Sequence, residues 1–160
     1  MALRRSPRIA AKQAATASAA AALKEQRIAR AAAYFGPIDP DWKIRCGAWV
    51  ASSWEPEVVE TYYLTLAENL ETGAKPSHGF SSESAKNHGR YEAGRCLKKV
   101  ELEAKLILLR KDYRSCLSES IGLMASGASA KRMVRKSEAI TQRIEHLKDR
   151  AMMDYNIALF

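Results

Sequence analysis

Three cysteines, three histidines and no apolar run of membrane length set the first limits on this chain of 160 residues. Cys46, Cys96 and Cys116 are odd in number and widely spaced, with no CxxC pair. That excludes a disulfide framework and points to free thiols in a reducing, intracellular compartment. A membrane-spanning helix needs about 20 consecutive apolar residues, and no stretch approaches that. Ala14–Leu23 is alanine-rich where a secretory leader would be leucine-rich, so no such leader is expected. There is no phosphate-binding glycine loop, HExxH pair, GxSxG elbow or zinc spacing. His78, His88 and His146 fall on separate segments, without cysteines or paired acids at ligand spacing. Glu101 and Glu103 stand two apart on a helical pattern, so they point to different sides and cannot act as an acid–base pair. No catalytic residue, cofactor or metal ligand is expected, and an enzyme is the least favoured class.

What the chain does have is charge at its ends. The net charge is +8, distributed unevenly. Met1–Arg30 carries seven Lys or Arg against the single acid Glu25; residues 31–82 carry three bases against seven acids; residues 83–160 carry sixteen bases against ten acids. Basic ends around an acidic centre suggest contact with a polyanion or with an acidic protein surface.

Residues 1–33 form a basic, Ala-rich arm. Alanine is the best helix former, yet the segment has few large apolar residues to bury. It is therefore expected to be disordered when free and helical when bound or packed. Arg4, Arg5 and Arg8 around Ser6-Pro7, followed by Lys12, have the makings of a short turn with projecting guanidinium groups, suited to a narrow and strongly negative DNA minor groove. This opening resembles the basic arms of chromatin-associated proteins and of some large-DNA-virus proteins, a resemblance confined to about nine residues. Two other readings stand beside it. One is a solvated tail without a specific role. The other is a mitochondrial or plastid transit peptide covering residues ~1–30, since the segment is rich in Arg and Ser and poor in acids.

Residues 34–81 read as a small aromatic-rich helical segment. Tyr34–Asp41 is expected to turn the chain. Asp39 is a good N-cap and Pro40 suits a first helical position, which favours a short helix through Trp42, Cys46, Trp49 and Val50. The alternation of Trp42, Ile44, Cys46 and Ala48 also permits a strand. A second start at Ser53-Trp54-Glu55-Pro56 opens a helix to about Thr72, with Gly73 placed to end it. Its buried face is expected to include Val59, Tyr62, Tyr63, Leu66 and Leu70. Trp42, Trp49, Trp54, Tyr62 and Tyr63 are read as core aromatics rather than a base-stacking platform, because the segment is acidic.

Residues 82–160 read as a long helical hairpin. Ser82–Ala125 carries no proline, although Gly89 and Gly94 weaken its first turns, so regularity is expected from near Tyr91. Leu102, Leu106, Leu109, Tyr113 and Cys116 recur in steps of four and three, beside a second series of Ala93, Leu97, Val100, Ala104 and Ile107. Residues 121–129 supply a reversal, and a last helix runs from about Ser129 to Leu159. Short connections between long helices make antiparallel neighbours. Leu106, Ile107, Leu109 and Phe160 are candidate interface residues, because a single antiparallel partner leaves part of this apolar surface uncovered. Lys131, Arg132, Arg135 and Lys136 lie in the first two turns of the last helix, where cations oppose the helix dipole; an anionic partner would relieve that.

The sequence thus predicts an all-α protein with a basic arm, short aromatic-rich helices and a C-terminal antiparallel hairpin. The expected role is a structural component of a nucleoprotein or virion-like assembly, in the nucleus or a virion. It would contact nucleic acid weakly and without sequence preference, or an acidic partner, and would pack against other subunits or itself. The alternative is an organellar helical subunit imported on its first ~30 residues.

Overall fold

A computed structural model describes residues 7–44, 49–72 and 82–160. The protein is all-α. Among the described residues the helices are α1 (Pro7–Phe35), α2 (Pro56–Glu71), α3 (Ser82–Ala125) and α4 (Lys131–Tyr155), with a 3-10 turn at Ala51–Ser53. No strand forms among them; the extended pairing seen is an isolated bridge between Lys43 and Val50. Two compact units share α3: one takes the chain to Pro40 and Ala51–Ala93, the other Asp41–Val50 and Gly94–Phe160.

In the first unit, α1 begins at Pro7, where a missing N–H costs a helix nothing. Every residue from Ile9 to Gln26 is exposed, so about five turns rest on alanine propensity without packing. Packing begins on the C-terminal side of that stretch. Arg27 makes a bidentate pair with Glu71 of α2, both contacts 2.8 Å, and its guanidinium holds the Glu71 carboxyl below the usual range. Lys24 pairs with Glu60, and Ala31 and Phe35 are buried. Tyr34 and Phe35, expected in a turn, close α1 instead. The break falls one residue later at Gly36, whose φ of 81° only glycine adopts freely; its N–H reaches the Ala32 carbonyl at 2.9 Å.

The chain from Glu55 into α2 follows the sequence signals, with Pro56 at the first helical position and Thr72 as cap. Gly73, proposed as the helix end, lies outside the described residues, as do Cys46 and His78. Tyr62, Leu66 and Ala67 are buried, with Val59, Tyr63 and Leu70 half-buried around them. Tyr62 stands 5.3 Å from the Trp54 ring and 5.5 Å from Tyr63, at tilted and edge-on angles. Burial pushes its phenol up to about 12. Arg90 of α3 donates to the Phe35 carbonyl and binds Asn87 at 2.6 Å and Glu83 at 3.1 Å, so a cation covers the negative end of α1.

In the second unit the expected helix from Trp42 to Val50 is corrected. Trp42, Lys43, Ile44, Trp49 and Val50 are not helical; Lys43 bridges Val50, and the Ile44 N–H faces the Trp49 carbonyl at 3.4 Å. The Pro40 carbonyl accepts from Ser52 at 2.9 Å, closing a loop instead of opening a helical turn. Of the alternating residues that are described, Trp42 is half-buried and Ile44 fully buried. It meets α3 at Gly94, where a Cβ would come within 2.5 Å of the Trp42 ring and 2.9 Å of Ile44.

α3 is regular from Ser82, not only from Tyr91, and ends at Ala125, with Gly127 in the turn that closes it. The Ala128 N–H reaches Leu123 at 2.9 Å and the Gly127 N–H reaches Met124 at 3.1 Å, a Schellman closure with φ of 76° at Gly127. α4 starts at Lys131 with Ala130 at the cap and no side-chain cap bond, so Ser129 does not cap it. The helix stops at Asn156 in the left-handed conformation, φ 54°, earlier than the expected Leu159. Beyond it Ile157 and Leu159 are buried while Phe160 is 88% exposed.

The hairpin is antiparallel. The reversal joins the end of α3 to the start of α4, and Lys98 near the other end of the seam meets Tyr155, its Nζ 5.2 Å from the ring. The seam buries Leu102, Leu106, Cys116 and Ser120 of α3 with Ser137, Ile140, Ala151 and Tyr155 of α4. Lys98 is itself buried, with its ammonium 4.8 Å from the Trp49 ring and 2.8 Å from Glu101. Two aromatic faces and a carboxylate together replace the water such a cation would otherwise hold.

Candidate functional site

Of the predicted arm contacts, Arg4 and Arg5 lie outside the described residues. Pro7 and Arg8 open α1 instead of forming a free-standing turn, and Lys12 follows one turn later, fully in solvent. The Thr16 hydroxyl donates back to the carbonyls of Lys12 and Gln13 at 3.1 and 2.8 Å, on a stretch of helix that is exposed throughout.

The second set belongs to the other unit. Lys131, Arg132, Arg135 and Lys136 are all exposed, on the first two turns of α4. The first turn has no acid and the cap is Ala130, so neither a first-turn carboxylate nor a side-chain cap offsets the cations at the positive end of the dipole. Lys136 also lines a groove of about 330 Å³ between α3 and α4, with Leu109, Cys116 and Ile140 among its walls and Asp112, Ser115 and Arg143 at its rim. Arg143 was missed in the sequence; its spacing of seven from Lys136, two turns on the same side, is the signal that could have found it.

Charge pairing separates these bases from part of the others; Arg110, Lys111, Arg114 and Arg143 are likewise without a paired carboxylate among the described residues. Lys24, Arg27, Arg90, Lys98, Lys99, Lys105, Lys148 and Arg150 each have a carboxylate within ion-pair distance. Among the described residues, no carboxylate pairs with Lys12, Lys131, Arg132, Arg135 or Lys136.

The interface candidates divide. Leu106 is 3% exposed and belongs to the hairpin seam. Leu109 is half-buried on the groove wall, whereas Ile107 at 64% and Phe160 at 88% face solvent. Among the described residues no group of three or more His, Cys, Asp or Glu side chains is placed to hold a metal ion, and no helix is long and apolar enough to cross a membrane.

These elements define a class by fold alone: an all-α protein with an exposed basic helix and an antiparallel hairpin. No family model, curated protein or solved structure shows significant similarity to the chain.

Proposed function

We propose that the protein is a non-enzymatic structural component of a nucleoprotein assembly, binding nucleic acid through two cationic surfaces without reading its sequence. The observation that carries this reading is the pairing pattern. Lys24, Arg27 and six further bases are matched by the protein's own carboxylates, whereas Lys12 and the four cations at the start of α4 stay in solvent. Lysine and arginine held this way contact phosphates and release the counterions condensed on the nucleic acid, which gives affinity with little base discrimination. The Lys24–Glu60 and Arg27–Glu71 pairs and the burial of Ala31 support an arm that stays with the fold.

The test is the salt dependence of duplex DNA binding by the full chain. Neutralising about six phosphates gives a log–log slope of about −5. Replacing Arg4, Arg5, Arg8 and Lys12 by Gln leaves the Lys24 and Arg27 contacts intact and should remove roughly three to four units of that slope. Replacing Lys131, Arg132, Arg135 and Lys136 by Gln should remove a further share while leaving the helical signal in place. Binding that is absent, or a slope unmoved by either set, overturns the reading.

A further inference from the structure

The groove between α3 and α4 lies wholly within the second unit and is built from two facing stripes. On α4, Ala139, Ile140 and Arg143 follow Lys136 by three, four and seven residues; on α3, Asp112 and Cys116 follow Leu109 by three and seven. Cys116 and Ile140, 3% and 5% exposed, make an apolar floor. Ala139 keeps the α4 wall low between two long cations, which leaves the space of about 330 Å³ open. A volume at the lower end of ligand-sized pockets suits one ring system. The cations do not stop at the groove. Arg132 stands four residues before Lys136 and eleven before Arg143, so an exposed row of about 16 Å follows one edge of α4. Among the described residues no carboxylate pairs with any of the three.

We infer that this groove takes one unstacked base of a single-stranded nucleic acid, with the phosphates on either side of that base held by Lys136 and Arg143. The inference rests on the nucleic-acid reading above and narrows it to a strand whose bases are free to leave the stack. A cationic row of this length outruns a small anion and matches a linear polyanion. The apolar floor gives a ring a surface that phosphate contacts alone do not need. Asp112 and Ser115 bring an acceptor and a hydroxyl to the rim. The polar edge of a base uses such groups, and an alkyl chain does not. The base is also the uncharged part of the strand, so Asp112 meets no phosphate. A duplex keeps its bases inside the stack and reaches the cations but not the floor.

The experiment measures binding of the full chain, at fixed salt, to a short single-stranded DNA, an abasic sugar–phosphate strand of the same length, and a duplex of that length. The base-bearing strand should bind about tenfold more tightly than the abasic one, the gain from a single base contact. Ala139→Leu, at an exposed helical position where leucine costs little, should fill the groove and bring the two strands to the same affinity. Lys136→Gln with Arg143→Gln should weaken binding to all three and lower the single-strand salt slope by about 1.4. Equal affinity of the unsubstituted chain for the base-bearing and abasic strands overturns the inference. So does a difference that survives Ala139→Leu while circular dichroism stays unchanged. Duplex binding with its salt slope intact would then leave the broader nucleic-acid reading standing, whereas binding to none of the three overturns both. Displacement of the strand by polyglutamate at equal charge concentration assigns the surface to an acidic protein and overturns the inference as well.

Discussion

Gly94 gives the sharpest test of the packing, because physical chemistry predicts opposite signs for the same substitution at two positions of one helix. Replacing a glycine inside a helix by alanine ordinarily stabilises it by about 1 kcal/mol, since glycine has more backbone freedom to lose. At Gly122 a new Cβ meets nothing within 4 Å, so that gain should appear nearly whole. At Gly94 the new Cβ would lie 2.5 and 2.8 Å from two atoms of the Trp42 ring and 2.9 Å from the Ile44 Cδ1. A ring edge is not the free end of a flexible chain, and Ile44 is fully buried, so neither neighbour can step aside cheaply.

Overpacking of this severity costs about 1–3 kcal/mol, and three simultaneous contacts put Gly94→Ala in the upper part of that range. After subtracting the propensity gain, the net loss is about 1–2 kcal/mol. For a chain of this size 1 kcal/mol moves the melting temperature by roughly 2–4 °C. Gly122→Ala should therefore rise by a few degrees and Gly94→Ala fall by a similar or larger amount, read by circular dichroism on matched samples. Gly89→Ala, with the Phe35 ring at 3.2 Å, should lie between them. If Gly94→Ala stabilises the protein as Gly122→Ala does, the Trp42 ring does not press on the helix backbone and the described loop is wrong.

Leu106→Ala should cost about 2–5 kcal/mol, because Leu106 is 3% exposed in the seam. Leu108→Ala, two residues on at 62% exposure, should stay within about 0.5 kcal/mol; equal melting temperatures for the two would show the seam is misplaced. Tyr62 titrates late, with its phenol pushed up to about 12 by burial, an effect that the nearby Arg90 charge partly opposes. A group whose folded value is raised contributes stability that is complete below the unfolded value near 10 and is lost as pH climbs through the folded one. Alkaline unfolding should accordingly set in between about pH 10 and 12, and Tyr62→Phe should remove that late phenol from an ultraviolet titration. Normal titration of all six tyrosines would refute the burial.

Local signals sufficed for α2, the bounds of α3 and the hairpin, because each rests on chemistry within a few residues: Pro56 at a helix start, a four–three apolar series through Leu106, Gly127 at a reversal. They failed where a distant partner decides. Trp42–Val50 satisfies a cap rule and an alternation rule together, and the choice between them is made by Gly94, some fifty residues on, whose missing side chain admits Trp42 and Ile44. Gly94 was read as a weakness of α3 for the same reason. Lys98, one of two adjacent lysines on a charged helix, gives no hint of burial until Trp49 and Tyr155 arrive from both directions along the chain. The candidate site divides along the same line. Counting charges along the sequence locates the basic ends, but it cannot tell a base that already has a carboxylate from one that does not. Lys24 and Arg27 belong to the same basic block as Lys12, yet they face Glu60 and Glu71 across α2 and serve the fold. The argument for a polyanion partner therefore rests on fewer residues than net charge implies, and it is stronger for that. Lys12 and the four cations opening α4 do nothing visible for the fold that carries them, and those on α4 stand where the helix dipole disfavours them.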